Sequence, residues 1–458
     1  MKFITNIYKL LLFLRKASNL GFIFYLGRHL NSPFLFFVSF VFAPIVSLSF
    51  VFKKKEQDLA HYLEKLGPIF VKFGQILSSM PELIGEERAE SLSKLQDKLA
   101  PFDYETAIRI IKHNIKRDIN KIFAKIDSKP VAAASIAQVH KAELLDGTVV
   151  AVKILRPNIK QAYENDIRLL YILTNLAKTF IDRTRHLRLN EIVKLLEKTM
   201  KSELDFTHEA ANCLTLKDNL KNDENILVPE VFWELTSSEI LVMEWVDGVS
   251  VYDKESIKKL GLDSKRILQK LAIAFFNQAF RDGYFHADIH PGNILVTKDE
   301  KIAFIDFGIM GFLSERDRIA MAEVLHSLLH NNYYRVAEIH KDIGFISNNV
   351  NLYEFAIACR AISEPIVKKS YNNVSVGHLL NGLFKMTSEF GMQTQPQLIM
   401  LQKTILILEG IGQILAKEVN MWHLAEPWIK QWAKRHLGFD AKLLRCIKAF
   451  IEKARFSS

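Results

Sequence analysis

One stretch constrains this chain more than any other: HADIHPGNILV at 286–296, followed by FIDFG at 304–308. The segment ILVTKDEKIAFIDFG at 294–308 reads as a β-hairpin, two short apolar runs about a polar turn. Two carboxylates and an amide frame it: Asp288 and Asn293 on the loop before it, Asp306 at its end. Hard cations such as Mg²⁺ take oxygen ligands in near-octahedral geometry, and their charge offsets that of phosphate groups. This spacing therefore supplies a donor set for a metal-bound phosphate. His286 and His290 lie on a loop with Pro291 and Gly292 rather than on a helix face, and no Cys/His set accompanies them. Packing or bracing the loop is the expected role for them, ahead of metal ligation.

Phosphoryl-transferring kinases use the same order, H-x-D-x-x-x-x-N and then D-F-G. The first Asp orients the attacking group, while the Asn and the second Asp hold metal. A compatible small lobe lies upstream. PVAAASIAQVHKAELLDGTVVAVKIL at 130–155 contains short strands joined by Asp146-Gly147, a strong hairpin dipeptide. Lys153 ends the VAVK strand and can reach phosphates if a helix carboxylate holds it. Glu203, Asp205 and Glu209, on an expected helix over 190–220, are the candidates. Asp205 and Glu209 share a face at i,i+4, while Glu203 lies roughly 240° around from Glu209 at 100° per residue. Periodicity leaves the partner of Lys153 open.

The rest of the chain reads as helix over 56–125, as helix over 157–220 with a break near 185–190, and as two strands within 228–248. Helix is expected again at 264–283 and through most of 314–458. Two kinase features are replaced. Ala132-Ala133-Ala134-Ser135 stands where a glycine-rich loop would be, and alanine cannot adopt positive φ cheaply. No A-P-E segment follows Asp306, since the chain is expected to enter a helix at Ser314, and Ala287 replaces the Arg of H-R-D. The platform for a peptide substrate is thereby missing.

Charge locates another function. Of the 458 residues, Lys+Arg minus Asp+Glu is 61 − 51 = +10, and the first acid is Glu56. Lys2, Lys9, Arg15, Lys16, Arg28, Lys53, Lys54 and Lys55 hold eight of the ten excess charges. A nucleic-acid binder spreads basic residues over a folded face, so no nucleic acid is expected, and a membrane segment is. PFLFFVSFVFAPIVSLSFVF at 33–52 has twenty uncharged residues, helical length for a hydrocarbon core about 30 Å thick. Pro44 would kink it, and residues 6–30 mix basic and apolar side chains as an interfacial helix does. A buried core helix is the alternative. Cys213, Cys359 and Cys446 are scattered and odd in number, which points to reduced, mostly buried thiols.

Taken together these residues resemble the UbiB family of atypical, kinase-like proteins of ubiquinone biosynthesis. Its Lys-x-Gly-Gln signature stands here as Lys72-Phe73-Gly74-Gln75 with LQD at 95–97. SIAQVH follows at 135–140, then Glu203-Leu204-Asp205 with Glu209 and Asn212, then HADIHPGN with DFG, and KTILILEGIGQIL at 403–415. The resemblance covers roughly 60–435. It implies an α+β, bilobal protein-kinase-like fold with an N-terminal helical extension and a largely helical C-terminal lobe. The expected division is a membrane-associating segment at 1–55, a helical extension at 56–125, an N-lobe at 126–248, a C-lobe at 249–440 and a basic tail at 441–458.

The resemblance also implies site roles. Lys153 pairs with Glu209, and Lys72 folds over the nucleotide site towards Glu203, so Asp288, Lys72, Glu203 and Asp205 carry catalysis. Val131, Ala132, Ala133, Ala134, Ser135, Ile136, Ala137, Gln138, Val139, Lys153, Glu209, Glu244 and Val246 bind ATP or ADP, and Asn293 and Asp306 bind Mg²⁺. The implied protein is a membrane-associated Mg-ATP-dependent atypical kinase or ATPase supporting ubiquinone biosynthesis. Its kinase-like domain would lie on the cytoplasmic side of a bacterial inner membrane. Membrane lipid, ubiquinone-biosynthesis enzymes and prenylated quinone precursors are the expected partners. A small-molecule phosphotransferase and a nucleotide-binding pseudokinase scaffold are the rivals. Two departures stand out: Met80 where relatives place an Arg, and a basic carboxy-terminal segment that leaves anchoring to 33–52.

Overall fold

Asp146-Gly147 turns the chain as its chemistry requires, with Gly147 at φ +85°, a left-handed conformation that glycine adopts without cost. The turn belongs to a computed structural model that describes residues 2–44, 59–78, 84–93, 95, 100–181, 189–290, 292–368, 382, 390, 396–417, 419, 427–432 and 434. Met80 and the 441–458 segment lie outside these. The chain divides into Met1–His208 with Phe232–Glu244, and Glu209–Val231 with Trp245–Ser458.

The first unit holds a five-stranded antiparallel sheet. Its strands are β1 (Phe123–Ile126), β2 (Ala132–Ala133), β3 (Ala137–Leu144), β4 (Val149–Leu155) and β6 (Ile240–Glu244), whereas β5 (Ile226–Leu227) belongs to the second unit. Val150, Val152 and Ile154 alternate along β4 and share one core with Ile240 and Val242 of β6. Ala107, Ile111 and Ile115, one apolar stripe of a helix over Tyr104–Ile115, cover that face. The Asp103 side chain caps this helix by accepting the Thr106 N–H at 2.7 Å. Residues 123–125, expected as helix, belong to β1 instead, because Phe123 is buried in this core and tertiary packing overrides local periodicity.

The remaining helices of this unit are α1 (Lys2–Asn19), α2 (Phe22–Leu30), α3 (Pro33–Phe42), α4 (Leu59–Leu66), α5 (Pro68–Ser78), α6 (Glu86–Ser93), α7 (the 104–115 helix just described), α8 (Ile159–Phe180) and α9 (Leu189–Glu203), with α10 (Phe206–Leu220) beginning in it. The interfacial helix expected at 6–30 is two helices bent by 80°, with Gly21 at φ +82° between them. α3 stops at Phe42, with Ala43 out of the helix. Ala43 precedes Pro44, whose ring disfavours helical backbone at the residue before it. The ten residues of α3 rise about 15 Å, half a hydrocarbon core, so the continuous twenty-residue helix does not form. Residues 45–52 lie outside the described ones. Stacked aromatic pairs hold this region: Phe13 on Phe70 at 5.2 Å and Phe34 on Phe180 at 4.5 Å.

Two further expectations need correcting. The helix over 190–220 is two helices, α9 and α10, because Asp205 accepts the Thr207 N–H at 3.0 Å and starts a second one. Of the two strands expected within 228–248, one forms, β6; Trp233–Leu235 is a 3₁₀ turn. Pro229, in the first of these runs, has no N–H to offer a ladder.

In the second unit, β7 (Val249–Ser250), β9 (Ile294–Val296) and β10 (Ile302–Phe304) join β5 in the order β5-β10-β9-β7, and β8 (Tyr284–His286) pairs with β11 (Met310–Phe312). Its helices include α11 (Lys254–Lys259), α12 (Ser264–Phe276), α13 (Glu315–Leu329), α14 (Tyr333–Asp342), α15 (Leu352–Lys368) and α16 (Pro396–Leu415). A π-helical turn, Asn277–Asp282, follows α12. Ser314 caps α13, so the chain passes from β11 directly into helix, as expected. The 397–415 part of α16 is the one straight helix, among the described residues, long and apolar enough to cross a membrane, and 44% of its apolar window is buried. Leu401, Ile405, Leu408 and Ile411 form its buried stripe, and Gly412 lies against Leu268 of α12. Cys213 and Cys359 are free and buried, as expected, and Cys446 lies outside the described residues.

Gly311 faces the fully buried Phe285 across the β8–β11 pair, and a Cβ there would meet the ring at 2.2 Å. Gly311→Ala is therefore expected to destabilise the fold by about 1–3 kcal/mol through overpacking, and denaturant titration measures it. An unchanged midpoint would contradict the register.

Candidate active site

β8 delivers the chain into the loop bearing Asp288 and Asn293, and β10 delivers it to Asp306. The loop closes on itself. His290 N–H donates to the Asp288 carbonyl at 2.7 Å, Asn293 N–H to the His290 carbonyl at 2.9 Å, and Asn293 Nδ2 to the Asp288 carbonyl at 3.1 Å. With its Nδ2 committed inward, and also 3.5 Å from Asp288 Oδ2, the Asn293 side chain offers its oxygen as the group for a cation. The Ile305 N–H donates to the Asn293 carbonyl at 3.1 Å, linking the loop to the end of the hairpin.

His286 joins the two acidic segments. The Asp288 N–H donates to its Nδ1 at 3.2 Å, and its Nε2 lies 2.5 Å from the Asp306 carbonyl. A backbone N–H can only donate and a carbonyl only accept, so the ring carries its proton on Nε2. Burial holds this imidazole below its ordinary pKa, against the pull of the Asp306 and Asp288 carboxylates, which fits the neutral tautomer. Gln278, on the π-helical turn, accepts the His286 N–H at 3.0 Å. His286 is thus packed and braces the loops.

Asp306 Oδ1 accepts the Gly308 N–H at 3.0 Å. Beyond it, Phe307 is held on both backbone groups by α10: its N–H donates to Glu209 Oε1 at 3.3 Å and its carbonyl accepts Asn212 Nδ2 at 2.9 Å. Tyr284 donates its hydroxyl to Asn212 Oδ1 at 2.8 Å. On the same helix, burial and then the Glu209 carboxylate push the Cys213 thiol up to about 12, so it stays protonated and inert. Asp288, Asn293 and Asp306 present hard oxygen donors with two negative charges, a set that fits Mg²⁺.

In the first unit Lys153 pairs across the sheet with Val139 and Leu241, and its ammonium sits 5.3 Å from the centre of the Phe206 ring, a cation–π geometry. Glu209 belongs to the second unit. The Ala-rich segment is an irregular edge: Ala132 and Ala133 make β2, Val131 N–H bonds the Val139 carbonyl, Ala134 N–H bonds the Ala137 carbonyl, and Ile136 accepts the Arg156 N–H. Ser135 is buried, and its hydroxyl has no hydrogen-bond partner among the described residues. Gln138, assigned to the nucleotide by resemblance, is fully buried. Its Oε1 accepts the Phe102 N–H at 2.9 Å, and its Nε2 reaches the Phe102 carbonyl at 3.3 Å and His140 Nε2 at 2.8 Å. That side chain clamps the 100–102 segment. Glu244 ends β6, exposed, and Val246 is buried in the second unit.

Lys72 of α5 meets Glu203 at the end of α9 at 3.2 Å, with side chains 18% and 7% exposed. Asp205 is turned elsewhere, with Thr207 Oγ1 2.7 Å from its Oδ1 in addition to the capping bond. Burial raises the Asp205 pKa, but the Thr207 hydrogen bonds outweigh it and hold the carboxyl below its usual range. The break between α9 and α10 thus falls between Glu203 and Asp205.

Sequence reasoning missed two contributors. Gln278 carries no signal beyond a polar residue in an apolar helix. Lys403, whose Nζ is 3.6 Å from Asp288 Oδ1, lies more than a hundred residues downstream, in a segment noted only as part of the family resemblance and given no site role.

The chain is similar to known proteins over most of its length. Residues 94–340 match the ABC1 atypical kinase-like domain and residues 359–420 the UbiB helical domain. Proteins named as UbiB protein kinases are 38% identical over 82% of this chain and 70% of the relative in Marinobacter nauticus, and 38% over 83% and 72% in Azotobacter vinelandii. The Aliivibrio fischeri protein is 38% identical over 86% of this chain and 73% of its own length. Among solved structures, the Mycobacterium tuberculosis protein Rv3197 in complex with erythromycin is similar with a TM-score of 0.52 at 24% identity, covering 80% of this chain and 93% of that one. That likeness is one of fold, which the ABC1 match identifies as kinase-like.

Breaking one partner of a mostly buried ion pair strands the other charge. Lys72→Met and Glu203→Gln should therefore each destabilise the protein, with the double variant losing less than their sum by about 0.5–3 kcal/mol. Additivity in a denaturant double-mutant cycle would contradict the pair.

Proposed function

The chain belongs to the UbiB family of atypical kinase-like proteins, and on that premise we propose that it is a membrane-associated, Mg-ATP-dependent atypical kinase or ATPase supporting ubiquinone biosynthesis. Asp288 orients the attacking group, Asn293 and Asp306 hold Mg²⁺, and the metal when bound offsets the charge of the nucleotide phosphates. The family resemblance assigns nucleotide binding to Lys153, Glu209, the 131–139 segment, Glu244 and Val246. Lys72, locked to Glu203, occupies the ground where a protein substrate would dock. The observation that supports this reading is the His286 clasp, which ties the backbone of the Asp288 loop and that of the Asp306 segment to one imidazole.

Membrane association rests on the amino-terminal helices. Phe37 and Val41 of α3, with Tyr8, Leu11 and Leu12 of α1, are exposed apolar side chains within the basic first 55 residues. An apolar face with basic neighbours suits an anionic lipid surface. The ubiquinone enzymes and prenylated quinone precursors follow from the family's name and role. A bacterial inner membrane, with the kinase-like domain in the cytoplasm where ATP is present, is the location consistent with them.

Mg-ATP at about a hundred times its dissociation constant stabilises a folded binder by about 2.7 kcal/mol. The protein should therefore melt several degrees higher with Mg-ATP, and Asp306→Asn should abolish that rise while leaving the ligand-free melting temperature near the parent's. A full rise in Asp306→Asn would contradict the metal assignment. ATP hydrolysis by the purified protein, with and without lipid vesicles carrying quinone precursors, tests the membrane part: equal rates would remove it.

A further inference from the structure

α16 reaches the catalytic loop with two consecutive side chains. Thr404 is fully buried, its hydroxyl 2.8 Å from the Met400 carbonyl of its own helix and 3.4 Å from the carbonyl of Ala287, next to Asp288. Lys403 then extends its ammonium to 3.6 Å from Asp288 Oδ1, with side chains 57% and 33% exposed. An ion pair this exposed contributes about 0–1 kcal/mol, so stability alone does not explain a cation at that carboxylate. Its surroundings do. A carboxylate that orients an attacking oxygen holds it at about 2.6–3.2 Å, and the phosphorus must lie about 3–3.5 Å further on. A cation beside that carboxylate, on a flexible four-carbon stem, is therefore within reach of the equatorial oxygens of the group being transferred. Charge spreads over those oxygens in the transition state, where Lys and Arg clamps act.

We propose that Lys403 is a further phosphate-binding residue of this site, its ammonium held in place by Asp288 until it binds the terminal phosphoryl group of a nucleoside triphosphate. The assignment rests on the kinase reading above and adds a residue from the UbiB helical segment to Asp288, Asn293 and Asp306 of the ABC1 domain. The anchor is Thr404, which fixes the helix, and the recognising group is Lys403, which stays mobile enough to move from the carboxylate to the phosphate. A nucleoside diphosphate lacks that terminal group and gains nothing from it.

The test compares the full-length parent with Lys403→Met and Lys403→Arg, titrated with Mg-ADP and with the Mg complex of a non-hydrolysable imido analogue of ATP. Calorimetry gives the affinities, and the ligand-free melting temperature checks the fold. Lys403→Met is expected to lose about tenfold in affinity for the triphosphate, the effect of about 1.4 kcal/mol, and to stay within twofold of the parent for ADP. Lys403→Arg should recover most of the loss. Parent-like affinity of Lys403→Met for both nucleotides would overturn the proposal, as would an equal loss for both. A parent that binds neither nucleotide overturns the kinase reading itself, whatever the variants do.

Discussion

The second unit depends on one buried imidazole. Two segments that must both carry acids approach each other at the ends of different strands, and two carboxylates set close together repel in proportion to how little water surrounds them. His286 links the segments through backbone groups and not through their carboxylates. Its neutral tautomer is the one state able to serve both a donor and an acceptor at once. Gln278 in turn fixes its backbone. The π-helical turn behind the loop is explained by this contact, since a wider turn aims Gln278 at the strand it must hold.

The first unit solves a different problem with a similar economy. Lys72 and Glu203 come from helices 131 residues apart and meet almost out of water. Such a pair gives geometric definition more than net stability. It fixes α5 against α9, and with it the place of the Lys-Phe-Gly-Gln helix, while Gly74 admits Leu63 and Leu95, whose side-chain carbons lie at 2.7 and 2.5 Å from where a Cβ would be. The signature glycine is therefore a packing requirement of that helix.

Much of this was legible in the chain itself. The hairpin at 294–308 announces itself because two short apolar runs about a polar turn form a signal over a short span. The Asp-Gly turn and the Ser314 cap are equally local. What stayed hidden depends on distance or on competition. Residues 123–125 look helical until a buried Phe123 is placed in the core with β4, and the 190–220 helix looks continuous until Asp205 takes an N–H for itself. The apolar run at 33–52 satisfied every compositional test for a span, but Ala43 before Pro44 ends its helix. Gln138 was assigned to the nucleotide from a motif, yet its side chain turns inward to Phe102. Lys403 had no local signal at all, since its meaning arises where α16 crosses the loop.

The Ala-rich edge has a kinetic consequence. Arg156 donates to the carbonyls of both Ala134 and Ala100, Gln138 grips Phe102 on both backbone groups, and β2 is stitched to β3. Glycine-rich lids flap, and their opening can time product departure. An edge tied down at this many points lacks the backbone freedom on which such opening depends.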